Sequence, residues 1–258
     1  QMKPWLKLDL TTRYLDQEIE GAGLEGGGNN VTYNRLPHVV QFRPVNGLSD
    51  FVDSSLVGED DYDILSEFSH NPLEMTLDDY RKYNRTLLNI NVGADFTIIK
   101  NLKYKITYGI QSDKSTNDRF WGVNTSNAWS YGKQPLAEIR YAETNSWRLS
   151  NVLTYDYKNF LPKHNLRLML GEELNHRDGR RVTSSAKYFP KHVGAETGLA
   201  MMNLGTPDPV VTFYPRERRT SSFFGRLNYD YKGRYLFSSS MRTDGSSKFS
   251  EGNRWGYF

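Results

Sequence analysis

Along much of this chain apolar and polar residues alternate one by one. That is the pattern of strands with one face in an apolar medium and the other in a polar one. Leu6, Leu8 and Leu10 alternate with Lys7, Asp9 and Thr11. Leu88, Ile90, Val92, Ala94, Phe96 and Ile98 interleave with Asn89, Asn91, Gly93, Asp95 and Thr97. Tyr104, Ile106, Tyr108 and Ile110 stand against Lys105, Thr107, Gly109 and Gln111. A fourth run passes through Trp147, Leu149, Leu153, Tyr155 and Tyr157, with Asn151 as an exception on the apolar face. A fifth sets Leu166, Leu168 and Leu170 against Arg167 and Gly171. Phe223, Leu227, Tyr229 and Tyr231 predict a sixth, Tyr235, Phe237 and Met241 a seventh, and Arg254–Tyr257 opens an eighth. Helical periodicity is weak; 75–83 predicts at most a short turn or two.

The connections alternate in length as regularly as the residues alternate in polarity. Short ones fall at 100–102, 158–164 and 232–233; long ones run over 16–83, 113–136 and 177–219, with a moderate one at 245–253. A meander whose two ends face different surroundings behaves in this way, and outer-membrane barrels, with tight periplasmic turns and long extracellular loops, do so. Aromatic placement agrees. Tyr104, Tyr155, Tyr157, Phe160, Tyr229, Tyr231 and Tyr235 flank the short turns, while Trp147, Phe223 and Trp255 sit toward the long loops. From Trp147 to Tyr157 is ten residues, roughly 33 Å of strand. Tilted by about 45° that projects to roughly 23 Å, close to the ~25 Å apolar band between aromatic girdles.

Composition now has a cause. Only 37% of the 258 residues are hydrophobic, which is low for a chain able to bury a sizeable core, yet aromatics reach 14%, too many for disorder. A barrel wall needs apolar residues only at alternate positions. A soluble β-rich binding or adhesion domain also alternates, but it rarely needs loops of tens of residues at one end only. No apolar run of 18 residues exists, so a helical membrane span is excluded. The charges, 33 basic and 30 acidic, are interspersed, which argues against a nucleic-acid partner. The absence of Cys excludes disulfides, thiol catalysis and zinc-finger chemistry.

No catalytic constellation emerges, and no enzyme, metal or cofactor is expected. His38, His70, His164, His176 and His192 read as scattered over loops and turns, without metal-ligand spacing. Gly26-Gly27-Gly28 lacks the following Lys-Ser/Thr of a phosphate loop. Glu59-Asp60-Asp61-Tyr62-Asp63 could ligate calcium but lacks the EF-hand rhythm, so a solvated acidic loop is the plainer reading. Aromatics on the long connections carry more: Phe120, Trp121, Trp129 and Tyr131 on one, Tyr188, Phe189 and Tyr214 on another. Such rings pack within the loop, meet a partner or stack on a ligand. Trp121, Trp129, Tyr131 and Tyr188 are the candidates for substrate or lid contact. Arg226, Asn228, Asp230 and Arg242 are expected on the inward polar face, against a plug.

The C-terminal stretch adds a resemblance. Ser222-Phe223-Phe224-Gly225-Arg226-Leu227-Asn228-Tyr229-Asp230-Tyr231, then Arg242-Thr243-Asp244-Gly245-Ser246-Ser247-Lys248-Phe249 and Asn253-Arg254-Trp255-Gly256-Tyr257-Phe258, closely resemble the SusC/RagA family of TonB-dependent outer-membrane transporters of the Bacteroidetes. Asn71-Pro72 and Tyr83-Asn84-Arg85 look similar as well. The resemblance implies a plugged barrel of about 22 strands. It implies import of oligosaccharides, peptides or similar small oligomeric nutrients under a SusD-like surface lipoprotein, driven by TonB acting on the plug. Residues 1–258 then read as a middle part of that barrel, seven to eight antiparallel up-and-down transmembrane strands embedded in outer-membrane lipid. Signal peptide, plug domain and C-terminal strands are expected outside the chain. A siderophore or cobalamin receptor of the TonB-dependent kind is the nearest alternative.

Overall fold

A computed structural model describes residues 4–21 and 72–258. The acidic run at 59–63, the glycines at 26–28, His38 and His70 lie outside the described residues. The alternating segments form one antiparallel sheet. Its strands are β1 (Leu6–Glu20), β2 (Asp79–Ile99), β3 (Leu102–Trp121), β4 (Leu136–Leu161), β5 (His164–Lys187), β6 (Thr206–Pro207), β7 (Val211–Phe213), β8 (Arg218–Tyr231), β9 (Tyr235–Ser246) and β10 (Trp255–Tyr257). The neighbour order β1-β2-β3-β4-β5-β8-β9-β10 contains no crossover. This is the up-and-down wall that the alternation predicts. Among the described residues no helix is long and apolar enough to cross a membrane.

Register decides which residues share a face, because directly opposed side chains point the same way. Leu10, Val92, Tyr108, Leu149, Leu174 and Ser221 form one row across the sheet. Leu6, Phe96, Tyr104, Leu153, Leu170, Gly225 and Met241 form another, four residues nearer the short turns. These rows lie on the apolar face, and that face is uncovered: Leu8, Leu10, Val92, Leu153, Leu168, Leu170, Phe237 and Met241 are all exposed. A soluble sandwich would lay a second sheet over such a face. Burying one Leu or Val is worth about 1.5–3 kcal/mol, so a bare apolar sheet of this extent calls for lipid. The buried apolar residues lie instead at the long-connection end, among them Phe120, Ala137, Ala186, Phe189 and Val193.

Rings bracket the apolar face. Beside the short turns, contacts run Tyr155–Tyr157–Phe160–His164–Tyr231–Tyr235 with centroids 4.4 to 6.1 Å apart. Trp5, Phe96 and Tyr104 stack in a second group at 6.3 and 6.1 Å. At the other end Trp147 stacks on His176 at 5.8 Å and Phe223 on Trp255 at 6.2 Å. His164 and His176 thus sit in β5 and not in turns, a correction to the sequence reading. Alternation marks apolar partners only, so a His taking a place in a ring stack gives no periodic signal. Asn151, the exception on the apolar face, is satisfied in place. The Tyr104 hydroxyl donates to its Oδ1 at 2.8 Å, and its Nδ2 donates to Glu172 Oε2 at 3.2 Å.

The strands overrun the boundaries expected for them. The connections predicted from Asp16, Asp113 and Arg177 begin only after Glu20, Trp121 and Lys187, and β2 starts at Asp79. β4 alone has 26 residues, roughly 86 Å of strand, against the ~25 Å that the apolar band requires. Above the band both faces meet polar surroundings, so alternation disappears while the backbone ladder continues. Cross-strand ion pairs take over there, Lys82 with Glu18 at 3.1 Å and Arg85 with Asp113 at 2.7 Å. β8 begins opposite Arg177, which leaves the last part of β5 without its long partner. β7 pairs with Arg181–Thr183 and β6 with Ala186–Lys187, covering an edge that would otherwise present bare donors and acceptors.

The two zones predict different tolerance to charge. Val92→Arg, on the apolar band, is expected to destabilise the full receptor by about 2 kcal/mol, and Thr116→Arg, on the extension of β3, by no more than about 1 kcal/mol. Urea titration of receptor refolded into phosphatidylcholine vesicles measures both; equal costs would overturn the zoning.

Candidate functional site

The polar face is built by the inward positions of β2 to β5. Asn89 and Asn91 lie on β2, Gln111 on β3, Arg148 on β4, and Asn175 and Arg177 on β5. Together they line a groove of about 420 Å³. Their side chains form a hydrogen-bonded net. Asn91 Nδ2 donates to Asn89 Oδ1, Asn89 Nδ2 to Gln111 Oε1 at 3.3 Å, and Arg148 Nε to Asn175 Oδ1 at 2.8 Å. Amides in such a net keep spare donors and acceptors. The groove can therefore hold a neutral, hydrogen-bonding molecule. Sequence reasoning placed Asn89, Asn91 and Gln111 on the polar face without singling them out. The available signal was the recurrence of amides at inward positions of adjacent strands.

Further along the same face, Arg242 Nε donates to both Asp244 oxygens at 2.8 and 3.0 Å, and its Nη2 reaches Glu173 Oε2 at 3.4 Å. The guanidinium lies 5.7 Å from the Phe224 ring centre. Phe224 in turn occupies the space above Gly171, where an added Cβ would meet the ring at 2.1 Å, so this position admits only glycine. Arg226, Asn228, Asp230 and Arg242 share this face by register, but the structure gives them unequal tasks. Asn228 Oδ1 accepts from Ser238 Oγ at 2.9 Å. Asp230 accepts from Asn165 Nδ2 at 3.0 Å and from the Gly233 amide at 2.8 Å, tying down the turn where Lys232 and Gly233 take positive φ of 58° and 64°. Arg226 is exposed.

The long-connection end carries a packed cap. Phe120 opposes Ala137, which opposes Ala186. Phe189 meets Phe120 edge-on at 5.9 Å, and the short helix Ala195–Ala200 lies against them. Gly198 is required there, because a Cβ would sit 2.5 Å from the Phe120 ring. Phe120 and Phe189 therefore pack within the cap. Trp121, expected on a loop, is the last residue of β3 and is buried, with Arg119 4.6 Å from its ring centre. The correction has the same cause as the shifted strand ends, a ladder that outlasts its alternation. Tyr131 and Tyr188 are brought together edge-on at 5.7 Å, and Tyr188 is exposed. Trp129 ends the helix Ser126–Trp129, with Lys133 Nζ 5.9 Å from its ring centre. Of the four, Tyr131 and Tyr188 thus meet each other.

A charged clip fastens this cap. Lys187 Nζ lies 3.0 Å from Asp208 Oδ2, and Ser185 Oγ donates to the same oxygen at 2.9 Å. The hydrogen bond from Lys187, then that from Ser185, holds the Asp208 carboxyl below its ordinary range. The bond to Asp208 correspondingly raises Lys187. Among the described residues no cluster of three or more His, Cys, Asp or Glu could hold a metal ion.

No family profile matches the chain. TonB-dependent receptor P26 of Formosa agariphila is 27% identical over 252 residues, covering 95% of this chain and 23% of its own length. TonB-dependent receptor P3 of the same organism is 27% identical over 188 residues, covering 73% of this chain and 18% of its own length. The TonB-dependent receptor SusC of Bacteroides thetaiotaomicron is 55% identical over 47 residues, covering 18% of this chain and 5% of its own length. The chain is similar to TonB-dependent receptors, SusC among them. It spans about a fifth of the length of the P3 and P26 receptors. A solved structure of the RagAB peptide transporter shares the fold of this chain, with a TM-score of 0.72 and 19% identity over all of this chain and 28% of that one. The RagAB peptide importer in its closed-closed state gives a TM-score of 0.66 at 21% identity. This wall stands in the bacterial outer membrane.

The clip predicts how the cap responds to acid. A depressed carboxyl contributes stability that is complete above the unfolded value near 3.9 and is lost as pH falls through the lower folded value. The raised Lys187 contributes below about 10.4 and is lost only as pH rises past its folded value. The clip should hold from roughly pH 4 to 10. Hydrogen exchange over 188–208, corrected for intrinsic rates, should accelerate on acidification below that window, and Asp208→Asn should exchange fast already at pH 7. Slow exchange in Asp208→Asn would show that the clip fastens nothing.

Proposed function

We propose that this wall belongs to an importer that carries polar oligomeric nutrients, peptides or oligosaccharides, across the outer membrane with energy from TonB. It is a carrier and not an enzyme. The observation that supports the reading best is the polar face, where amides and guanidiniums line an open groove instead of closing on one another as ion pairs. Peptide bonds and sugar hydroxyls both offer the neutral donors and acceptors that such a surface recognises. Arg226 and Arg242 line the lumen in this reading, and Asn228 and Asp230 hold the wall in shape around it. The long connections face outward. The cap, with Tyr188 exposed beside Tyr131 and Trp129 nearby in sequence, offers a rim for a SusD-like lipoprotein. RagAB, whose fold this chain shares, is described as a peptide transporter, which favours peptides among the two nutrient classes.

Deleting the full receptor gene should abolish growth on a peptide mixture or on a glycan as sole nutrient, and deleting TonB should do the same. A tagged receptor should co-purify a surface lipoprotein. Loss of growth confined to iron-siderophore or cobalamin media would replace this reading with the alternative receptor type. Orientation has its own test. In a full receptor whose cysteines outside this Cys-free stretch are replaced by Ser, Lys191→Cys in the cap should label with an impermeant maleimide in intact cells, and Arg234→Cys at a short turn only after lysis.

A further inference from the structure

We propose that the apolar face also carries a binding site for an anionic lipid, at the long-connection end between β4 and β10. The row Leu10-Val92-Tyr108-Leu149-Leu174 is continuous until β8, where it drops to Ser221 and then to Gly245 on β9. The two small residues leave a dent in the lipid-facing wall. Trp147 and Trp255 bound it, and the groove so formed has a volume of about 700 Å³. Gly245 keeps it in shape, because the Trp255 indole lies 3.0 Å from where a Cβ would stand. A chain-like apolar ligand fits such a groove, and in a membrane that ligand is an acyl chain.

The polar end of the groove selects the headgroup. Arg219 and Arg254 line the apolar dent and also a second pocket of about 450 Å³, together with Arg216, Glu217 and Ser247. Arg219 shares its row with Trp147 and His176, so it lies at the depth of the aromatic girdle, where headgroups are. Three guanidiniums face one carboxylate. Glu217 is held by Arg219 at 2.6 Å and by His176 Nδ1 at 3.1 Å. Arg216 and Arg254 enter no salt bridge among the described residues. Guanidinium forks match phosphate oxygens, and their attraction is strong where water is thinned. Apolar dent and cationic pocket are contiguous, so one molecule with acyl chains and a phosphate fills both. In the orientation proposed above this is the outer leaflet.

The test uses the full receptor in phosphatidylcholine nanodiscs, titrated with monophosphoryl lipid A and read by native mass spectrometry and thermal midpoint. Wild type should retain the phosphorylated lipid and gain stability. Arg219→Gln/Arg254→Gln should bind it about tenfold more weakly or worse, since each hydrogen bond to a charged group carries that order of effect. Ser221→Phe, which fills the dent and leaves the arginines, should lose it as well. Compact, heat-sensitive migration on gels verifies that each variant is a folded barrel. Binding of lipid A no tighter than phosphatidylcholine, or unchanged in both variants, overturns the proposal. So does an equal midpoint shift with inorganic phosphate alone, which would mark a free-anion pocket. The lipid titration does not involve nutrient uptake, so failure of the import reading leaves it unaffected.

Discussion

Everything in this wall follows from the need to satisfy backbone hydrogen bonds in a medium that offers none. Within hydrocarbon each unpaired N–H or C=O costs several kcal/mol, so the chain pairs every long strand with its sequence neighbour, without a crossover. Once pairing is settled, side chains are left with two choices, outward or inward. Outward positions are filled with Leu, Ile, Val and rings, and inward ones with amides and charges. Even the Tyr104–Asn151–Glu172 chain obeys the rule at the level of side chains, because Asn151 finds a partner on either side of it.

The same constraint explains what the amino-acid pattern announced and what it did not. Where the two faces meet different solvents, as from Trp147 to Tyr157, alternation was plain enough to count strands and order them. At Tyr83 or Thr116 both faces meet polar surroundings, and the residues there carry strand propensity without a period. The strand ends were therefore placed short by up to ten residues, as at Lys187 against the expected Arg177. The C-terminal motif compensated for this with a resemblance that does not depend on alternation.

The cap was hidden for a different reason. Phe120 and Phe189 are separated by 69 positions, and nothing local in either segment says that they meet. Their contact depends on the register of three strands and on Gly198 leaving room. The polar groove is a similar case. Asn89, Gln111 and Asn175 each look like an ordinary inward residue, and only stacking β2 to β5 side by side turns them into a surface. What single strands reveal is their environment; what adjacent strands do together has to be seen.

The wall is not level. β5 climbs ten residues beyond Arg177, the partner of the first residue of β8, which is roughly 33 Å of extra strand and, tilted by about 45°, about 23 Å of height. The rim at the long-connection end is thus a parapet over β1 to β5 and a low sill over β8 to β10. A rigid body settling onto it bears on the parapet first and is left standing clear of the sill.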